Sequence, residues 1–244
     1  YNKMLLEICA NSYRSAINAQ KAGADRIELC SELAVGGITP SFGLIKKVKE
    51  TLEIPVFVLI RPRSGNFTYS DDEFDIMKSD ILQCKKSGCS GIVSGVLKEN
   101  NTIDIERTKE LIELAKPLSF TFHRAFDWVE NPHEAIKQLV DLKVDRVLTS
   151  GQETNAVKGI KLLNELKTAS EGKLIILPGG GVNVENCTQF KELEFNEIHC
   201  SASTIKQIIE SPKIKMNSDP FFDERIMVFS DSEKISKINK AIKP

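Results

Sequence analysis

The sequence predicts an α/β fold: a (β/α)8 TIM barrel forming a single domain over residues 1–244, with a short extra helix and an irregular segment after the eighth strand. Three observations carry this. Short apolar segments alternate with helical patterns eight times along the chain. The turn that ends a helix and opens a strand is reused at the same point of the cycle. Eight units of about 30 residues fill about 240, the usual size of such a barrel.

The strands are expected at Leu5–Ala10, Arg26–Cys30, Val56–Arg61, Gly91–Val96, Ser119–Arg124, Arg146–Ser150, Leu174–Pro178 and Glu197–Ser201. Helices between them carry start signals. Thr39-Pro40 reads as a cap followed by proline at the first helical position. Ser70 with Glu73 reads as a capping box, and Asn131-Pro132 with Glu134 as a looser one. The stops recur as Lys21-Ala22-Gly23-Ala24-Asp25, Lys86-Ser87-Gly88-Cys89-Ser90 and, without the glycine, Leu142-Lys143-Val144-Asp145. Strands alternating with helices imply a parallel sheet with right-handed crossovers. A doubly wound open sheet seldom needs eight equal units, and its glycine pattern is absent after the first strand, so no nucleotide cofactor is indicated. In the tail, Thr204–Glu210 reads as the short extra helix and Ser211 to about Ser230 as irregular. Ser232–Ile242 reads as the eighth helix, with Ile235, Ile238 and Ile242 at helical spacing.

Composition excludes several classes. With 41% apolar residues the chain can build a core. Lys+Arg is 33 against 34 Asp+Glu, with no basic run, which argues against a nucleic-acid partner. No stretch of about 18 apolar residues offers a membrane span. The N-terminal residues lack the basic-then-apolar pattern of a secretory leader. Six cysteines, none in CxxC spacing, read as reduced thiols and give a cytoplasmic expectation.

Strand alternation separates a helix-covered outer face from the barrel interior. Leu6, Ile8, Ile27, Leu29, Val56, Val58, Ile60, Phe120, Phe122, Ile198 and Cys200 take the outer face. That turns Glu7, Cys9, Arg26, Glu28, Cys30, Phe57, Leu59, Arg61, Thr121, His123, Glu197, His199 and Ser201 inward. A structural barrel fills its layers with Val, Ile and Leu. Buried charge costs several kcal/mol unless paired, so a core ion pair such as Glu28 with Arg61 is the structural alternative. Five polar groups near strand C-terminal ends (Glu7, Glu28, Arg61, His123 and His199) favour a functional interior, and these are the candidate catalytic residues.

The loops after the strands add candidate substrate-binding residues: Arg63, Arg124, Asp127, Thr149, Ser150 and Ser201. Gly179, Gly180 and Gly181 after the seventh strand form a run whose backbone N–H groups can converge on an anion. Cys9 and Cys30, on adjacent strands at matching heights, fall about 5 Å apart across the sheet. Two thiolates suit Cu(I) or Zn, with His123 or His199 completing a site, although buried cysteine more often packs as a small hydrophobe. Spacing alone favours packing. Cys84, Cys187 and Cys200 read as packing residues and His133 as a solvated helix-start residue.

At these residues the chain resembles the CutC copper homeostasis family. The resemblance lies in Leu6-Glu7-Ile8-Cys9-Ala10-Asn11-Ser12, Gly23-Ala24-Asp25-Arg26-Ile27-Glu28-Leu29-Cys30 and Gly36-Gly37-Ile38-Thr39-Pro40-Ser41. It continues through Ile60-Arg61-Pro62-Arg63, Thr121-Phe122-His123-Arg124-Ala125-Phe126-Asp127, Arg146-Val147-Leu148-Thr149-Ser150-Gly151 and Pro178-Gly179-Gly180-Gly181-Val182. It covers about residues 4–210 and weakens in the tail. The resemblance implies a cytoplasmic TIM-barrel protein, a homo-oligomer (dimer or tetramer), with a copper ion as its partner. Cys9 and Cys30 match the cysteines proposed as the family's Cu(I) ligands. Cys200 stands where the family commonly has Ala.

Two functions follow as expectations. One is a copper homeostasis protein binding Cu(I) through Cys9 and Cys30. The other is an enzyme acting on a small phosphate- or carboxylate-bearing molecule. There Glu7 or Glu28 is the base, His123 and His199 are proton donors, Arg61 is the anion clamp and Gly179–Gly181 is the anion loop.

Overall fold

A computed structural model describes residues 4–216 and 223–243. Eight parallel strands, β1 (Leu5–Ala10), β2 (Arg26–Leu29), β3 (Val56–Leu59), β4 (Gly91–Ser94), β5 (Ser119–Phe122), β6 (Arg146–Thr149), β7 (Ile175–Pro178) and β8 (Glu197–Cys200), form the barrel. They pair in sequence order, and β8 returns to pair with β1. A single parallel bridge, Gly179 to His199, links β7 to β8, so the barrel is nearly closed. Helices α1 (Tyr13–Lys21), α2 (Phe42–Lys49), α3 (Asp71–Lys86), α4 (Ile105–Ala115), α5 (Pro132–Asp141), α6 (Ile160–Ala169), α7 (Cys187–Glu192) and α8 (Ser232–Ile242) cover it. The fold is therefore the (β/α)8 barrel that the sequence predicts.

The reused turn is a Schellman motif, in which the N–H three residues past the last helical residue reaches back five residues to a carbonyl. Ala24 reaches Ala19, Cys89 reaches Cys84, Val144 reaches Leu139 and Phe195 reaches Phe190. The motif needs a left-handed residue just before that donor. Gly23 and Gly88 supply it at φ 85° and 71°, while Lys143 and Glu194 do so at φ 60° and 56° despite their Cβ atoms. A left-handed non-glycine residue costs roughly 1 kcal/mol. Lys143 is exposed, so Lys143→Gly removes that cost and little else. The variant is expected to gain about 0.5–1 kcal/mol, a rise in Tm of roughly 2–4 °C. A lower melting temperature would contradict the account.

Start signals are mostly as the sequence has them. Ser70 and Glu73 make both bonds of a capping box at α3, and Asn131 caps α5 with Pro132 in its first turn. At α2 the cap is Ser41, which accepts from Leu44, not Thr39-Pro40. The Thr39 hydroxyl instead accepts from the Arg61 N–H at 2.9 Å, tying the loop after β2 to the end of β3.

The tail differs more. The short helix expected at Thr204–Glu210 is a strand, β9 (Ser203–Gln207), paired antiparallel with β10 (Ile226–Ser230). Its β-branched Thr204 and Ile205 suit a strand, but the partner that decides the matter lies inside the stretch read as irregular. The part of that stretch at 217–222 lies outside the described residues. The α8 helix runs over its expected span with Ile235, Ile238 and Ile242 buried.

Alternation holds around the barrel. Leu6, Ile8, Ile27, Leu29, Val56, Val58, Ile60, Phe120, Phe122, Ile198 and Cys200 join one apolar layer between sheet and helices. Burying each large apolar side chain contributes about 1.5–3 kcal/mol, and this layer is what holds the interior in place. Inside, Cys9, Cys30, Phe57, Leu59 and Val93 form a separate small apolar cluster, Leu148 adds an apolar side chain from β6, and buried charged and polar side chains fill much of the rest.

Candidate functional site at the barrel mouth

The lower interior is an ion network built by strand register. Glu7 lies opposite Arg26 across β1 and β2, and opposite His199 across β1 and β8. The Arg26 Nε donates to Glu7, and its Nη2 donates to Glu197 at 2.5 Å. Glu197 also accepts from Arg146 Nε at 3.2 Å. Both guanidinium groups lie over the Phe57 ring, at 4.7 and 5.1 Å from its centre. Burial alone raises the Glu7 carboxyl, but Arg26 and His199 outweigh it and hold the group at about 2. Arg146 belongs to this network and escaped the sequence reading. Alternation about the outward Val147 would have found it.

Above that network sit Cys9, Glu28, Cys30 and His199. The Cys9 and Cys30 sulfurs touch at 3.6 Å, closer than the sequence spacing suggested. They are not a register pair, because Cys9 faces Glu28 and Cys30 lies two residues further on, just past the end of β2. Contact with Cys30 and burial push the Cys9 thiol well above its ordinary value. One ligand atom each from Cys9, Glu28 and His199 falls within 4.8 Å of the others. His199 Nδ1 is 2.7 Å from Glu7 Oε1 and 3.5 Å from Glu28 Oε2. Burial alone would lower His199, but Cys9, Glu7 and Glu28 together raise it, so the ring carries charge at neutral pH. With Glu7 claiming that ring and Arg26, the second carboxyl titrates the other way. Burial, reinforced by the Glu7 charge, raises Glu28 to about 7. Its Oε2 is buried and accepts no hydrogen bond among the described residues. The sequence's candidate pair of Glu28 with Arg61 does not form among the described residues.

The mouth itself is a cavity of about 270 Å³. Cys9, Glu28 and His199 line it from below, and His123, Arg124, Asp127, Phe67 and Trp128 from above. His123 packs against Gly95, where a Cβ would sit 2.8 Å from the imidazole, so only glycine admits the ring there. Its Nδ1 accepts from the Ala125 N–H at 3.2 Å, which leaves the proton of the neutral ring on Nε2. That Nε2 is buried without a hydrogen-bond partner among the described residues. Burial, with the nearby Arg61 charge, lowers His123 to about 3 and keeps it neutral. Phe67 packs between His123 and Trp128, tilted by 56° to the first and edge-on at 77° to the second, with ring centres 5.0 Å apart on both sides. Trp128 was not singled out by its sequence position. It sits in the 3-10 turn Arg124–Trp128 that closes β5.

The remaining candidates divide. Asp127 accepts from the Thr149 hydroxyl at 2.5 Å, the Ser150 N–H at 3.0 Å and Arg124 Nε at 2.7 Å. Arg124 Nη2 also donates to Ser150 Oγ at 2.8 Å, so these four residues form one unit on the rim. Arg61, expected as an anion clamp, spends both Nη atoms on backbone carbonyls: Val35 and Gly37 at 2.7 and 2.8 Å, and Gly65 at 2.9 Å. Arg63 is held by Glu73 and by carbonyls of its own loop, away from the cavity. None of Gly179 to Gly181 lines the cavity: Gly180 lies beside Arg124, and Gly179 donates to the Thr149 carbonyl at 3.0 Å. Ser201 and Gly181 border a different pocket, beside Lys234 at the start of α8. Cys84, Cys187 and Cys200 pack in the outer apolar layer, and His133 is half exposed beside Glu165.

Known proteins resemble this chain along most of its length. Residues 4–204 match the CutC family. The human copper homeostasis protein cutC homolog is 40% identical over 99% of this chain and 90% of its own length. A CutC family protein of Photorhabdus laumondii is 49% identical over 82% of this chain and 80% of its own. The crystal structure of a CutC protein from Streptococcus agalactiae superposes with a TM-score of 0.77 at 36% identity, covering 81% of this chain and 98% of that one.

Proposed function

This chain belongs to the CutC family of copper homeostasis proteins, and from that premise we propose that it binds Cu(I) as cargo at the barrel mouth through Cys9 and Cys30. The observation that carries the reading is the 3.6 Å contact between two buried thiols beside Glu28 and His199. Soft sulfur donors select Cu(I), and an imidazole and a carboxylate within reach complete a mixed site. Both sulfurs bind as thiolates, so loading releases protons into a cluster that already shares them among Glu7, Glu28 and His199. The reading includes a cytoplasmic location, which six free cysteines support. It also includes a homo-oligomer, which exposed Ile205, Ile208 and Met227 beside the barrel support.

The test is an anaerobic Cu(I) titration against a chromophoric chelator. Wild-type protein is expected to take up about one ion per chain. The Cys9→Ser/Cys30→Ser double variant is expected to lose roughly a hundredfold or more in affinity, because removing a ligand costs at least what losing an outer-shell partner does. Wild-type affinity in the double variant would end the proposal.

A second reading has its own observation. Glu28 Oε2 and His123 Nε2 are both buried without a hydrogen bond, on residues that line one cavity. Orphaned buried polar groups cost stability and cluster where a ligand satisfies them. This supports an enzyme acting on a small anionic molecule, with Glu28, His123 and His199 as its acid–base groups.

A further inference from the structure

We propose that the mouth cavity binds a small planar 2-oxo carboxylate, with His123 donating to its keto oxygen and Arg124 holding its carboxylate. The inference rests on the second reading above and names the class of molecule that the site would take.

Four features select that class. First, His123 is 4% exposed and lines the cavity, and its Nε2–H has no hydrogen-bond partner among the described residues. A neutral imidazole held in one tautomer is a donor, so it requires an acceptor oxygen on the ligand. Second, Arg124 has two of its three nitrogens fixed by Asp127 and Ser150, while its Nη1 makes no hydrogen bond among the described residues. The fixed fork leaves one edge of a pre-oriented cation for a carboxylate. Third, His123, Phe67 and Trp128 form an aromatic wall, and Leu59 and Leu148 also line the cavity. Such a wall favours a flat ligand with an apolar edge. Fourth, the volume of about 270 Å³ lies below the range of drug-sized sites, which limits the ligand to a few carbons. A short 2-oxo acid meets all four requirements: a carbonyl beside a carboxylate in one plane, with a small apolar tail.

Trp128 is the only tryptophan in the chain and lines this cavity, so its emission reports occupancy directly. Wild-type protein, with a Cu(I) chelator present, is titrated with pyruvate, 2-oxobutyrate and dihydroxyacetone phosphate. Each titration is followed by fluorescence and in parallel by calorimetry. Saturable binding of the two oxo acids is expected, weakened roughly tenfold or more by His123→Phe and by Arg124→Gln. His123→Asn, which keeps a donor, is expected to retain part of the affinity. Binding of the phosphate compound alone would overturn the 2-oxo assignment while leaving the small-anion reading intact. No saturable heat or fluorescence change with any probe would overturn both. Oxo-acid binding unchanged in His123→Phe and Arg124→Gln would overturn the assigned contacts.

Discussion

An Arg26→Met variant is expected to lose about 3–5 kcal/mol of unfolding free energy, because removing one partner of a buried ion network strands the others. Arg26 is 3% exposed and is the cation shared by Glu7 and Glu197. Without it, among the described residues, Glu7, which is fully buried, keeps His199 alone and Glu197 keeps Arg146 alone. Methionine refills most of the volume over the Phe57 ring, so the loss reports charge and not a cavity. Adding Glu7→Gln removes one stranded carboxylate and is expected to recover part of the loss, a coupling of roughly 0.5–3 kcal/mol. Urea unfolding of the two singles and the double measures it. A loss below about 1 kcal/mol in Arg26→Met would show that water reaches this layer and that the network holds little of the fold.

Acidification is expected to destabilise the protein through His123. Its folded value is about 3 against an ordinary value of 6.5, so the unfolded chain binds the proton more tightly. Stability tied to this group is complete above about pH 6.5 and falls as pH drops towards 3, by up to about 5 kcal/mol. Glu28 works in the opposite direction. Its folded value of about 7 lies above the ordinary 4.5, so its contribution is complete below about 4.5 and is lost as pH rises through 7. Glu7, at about 2, matters only below about 4.5, where its contribution fades as pH falls. His199, raised above 6.5, contributes fully throughout the acid range. Between pH 6.5 and 4.5 the wild type therefore shows a partly cancelled slope. His123→Asn is expected to become more stable on acidification in that window, and Glu28→Gln to lose stability more steeply than wild type. Urea midpoints at three pH values for the three proteins decide this. Parallel curves would mean that neither group titrates as its surroundings dictate.

Local chemistry explains which parts were legible. The eight strands, the interior set on five of them and α8 follow from period-two and period-3.6 patterns that any short window displays. The copy of the stop turn at Lys143 is legible without a glycine because Asp145-Arg146-Val147 repeats Asp25-Arg26-Ile27, whereas Glu194 lacks both the glycine and that run, so only the backbone shows the fourth copy. The tail failed for a different reason. Ser203–Gln207 is a strand because it pairs with Ile226–Ser230, some twenty residues further on, and no window contains both. Residue type also told more than residue partner. Arg61 looks like an anion clamp by its place at the end of β3, yet carbonyls of two loops claim its Nη groups.

By itself the sequence determined the barrel, the outward apolar face and a polar interior containing Glu7, Cys9, Glu28, His123 and His199. Those are consequences of alternation, capping and turn chemistry, which act between near neighbours. Only the tertiary structure decided how that interior is divided. Closing β8 onto β1 sets His199 beside Glu7 across a separation of 192 residues, and this contact commits Glu7 to the ion network below. The same closure leaves Glu28 as the second carboxylate, without a hydrogen bond to its Oε2, at the cavity that Cys9, His123 and Arg124 also line. The division comes from placement in a low-dielectric interior, where the position of a few oppositely charged atoms decides which group is spent on the fold and which is left for a ligand.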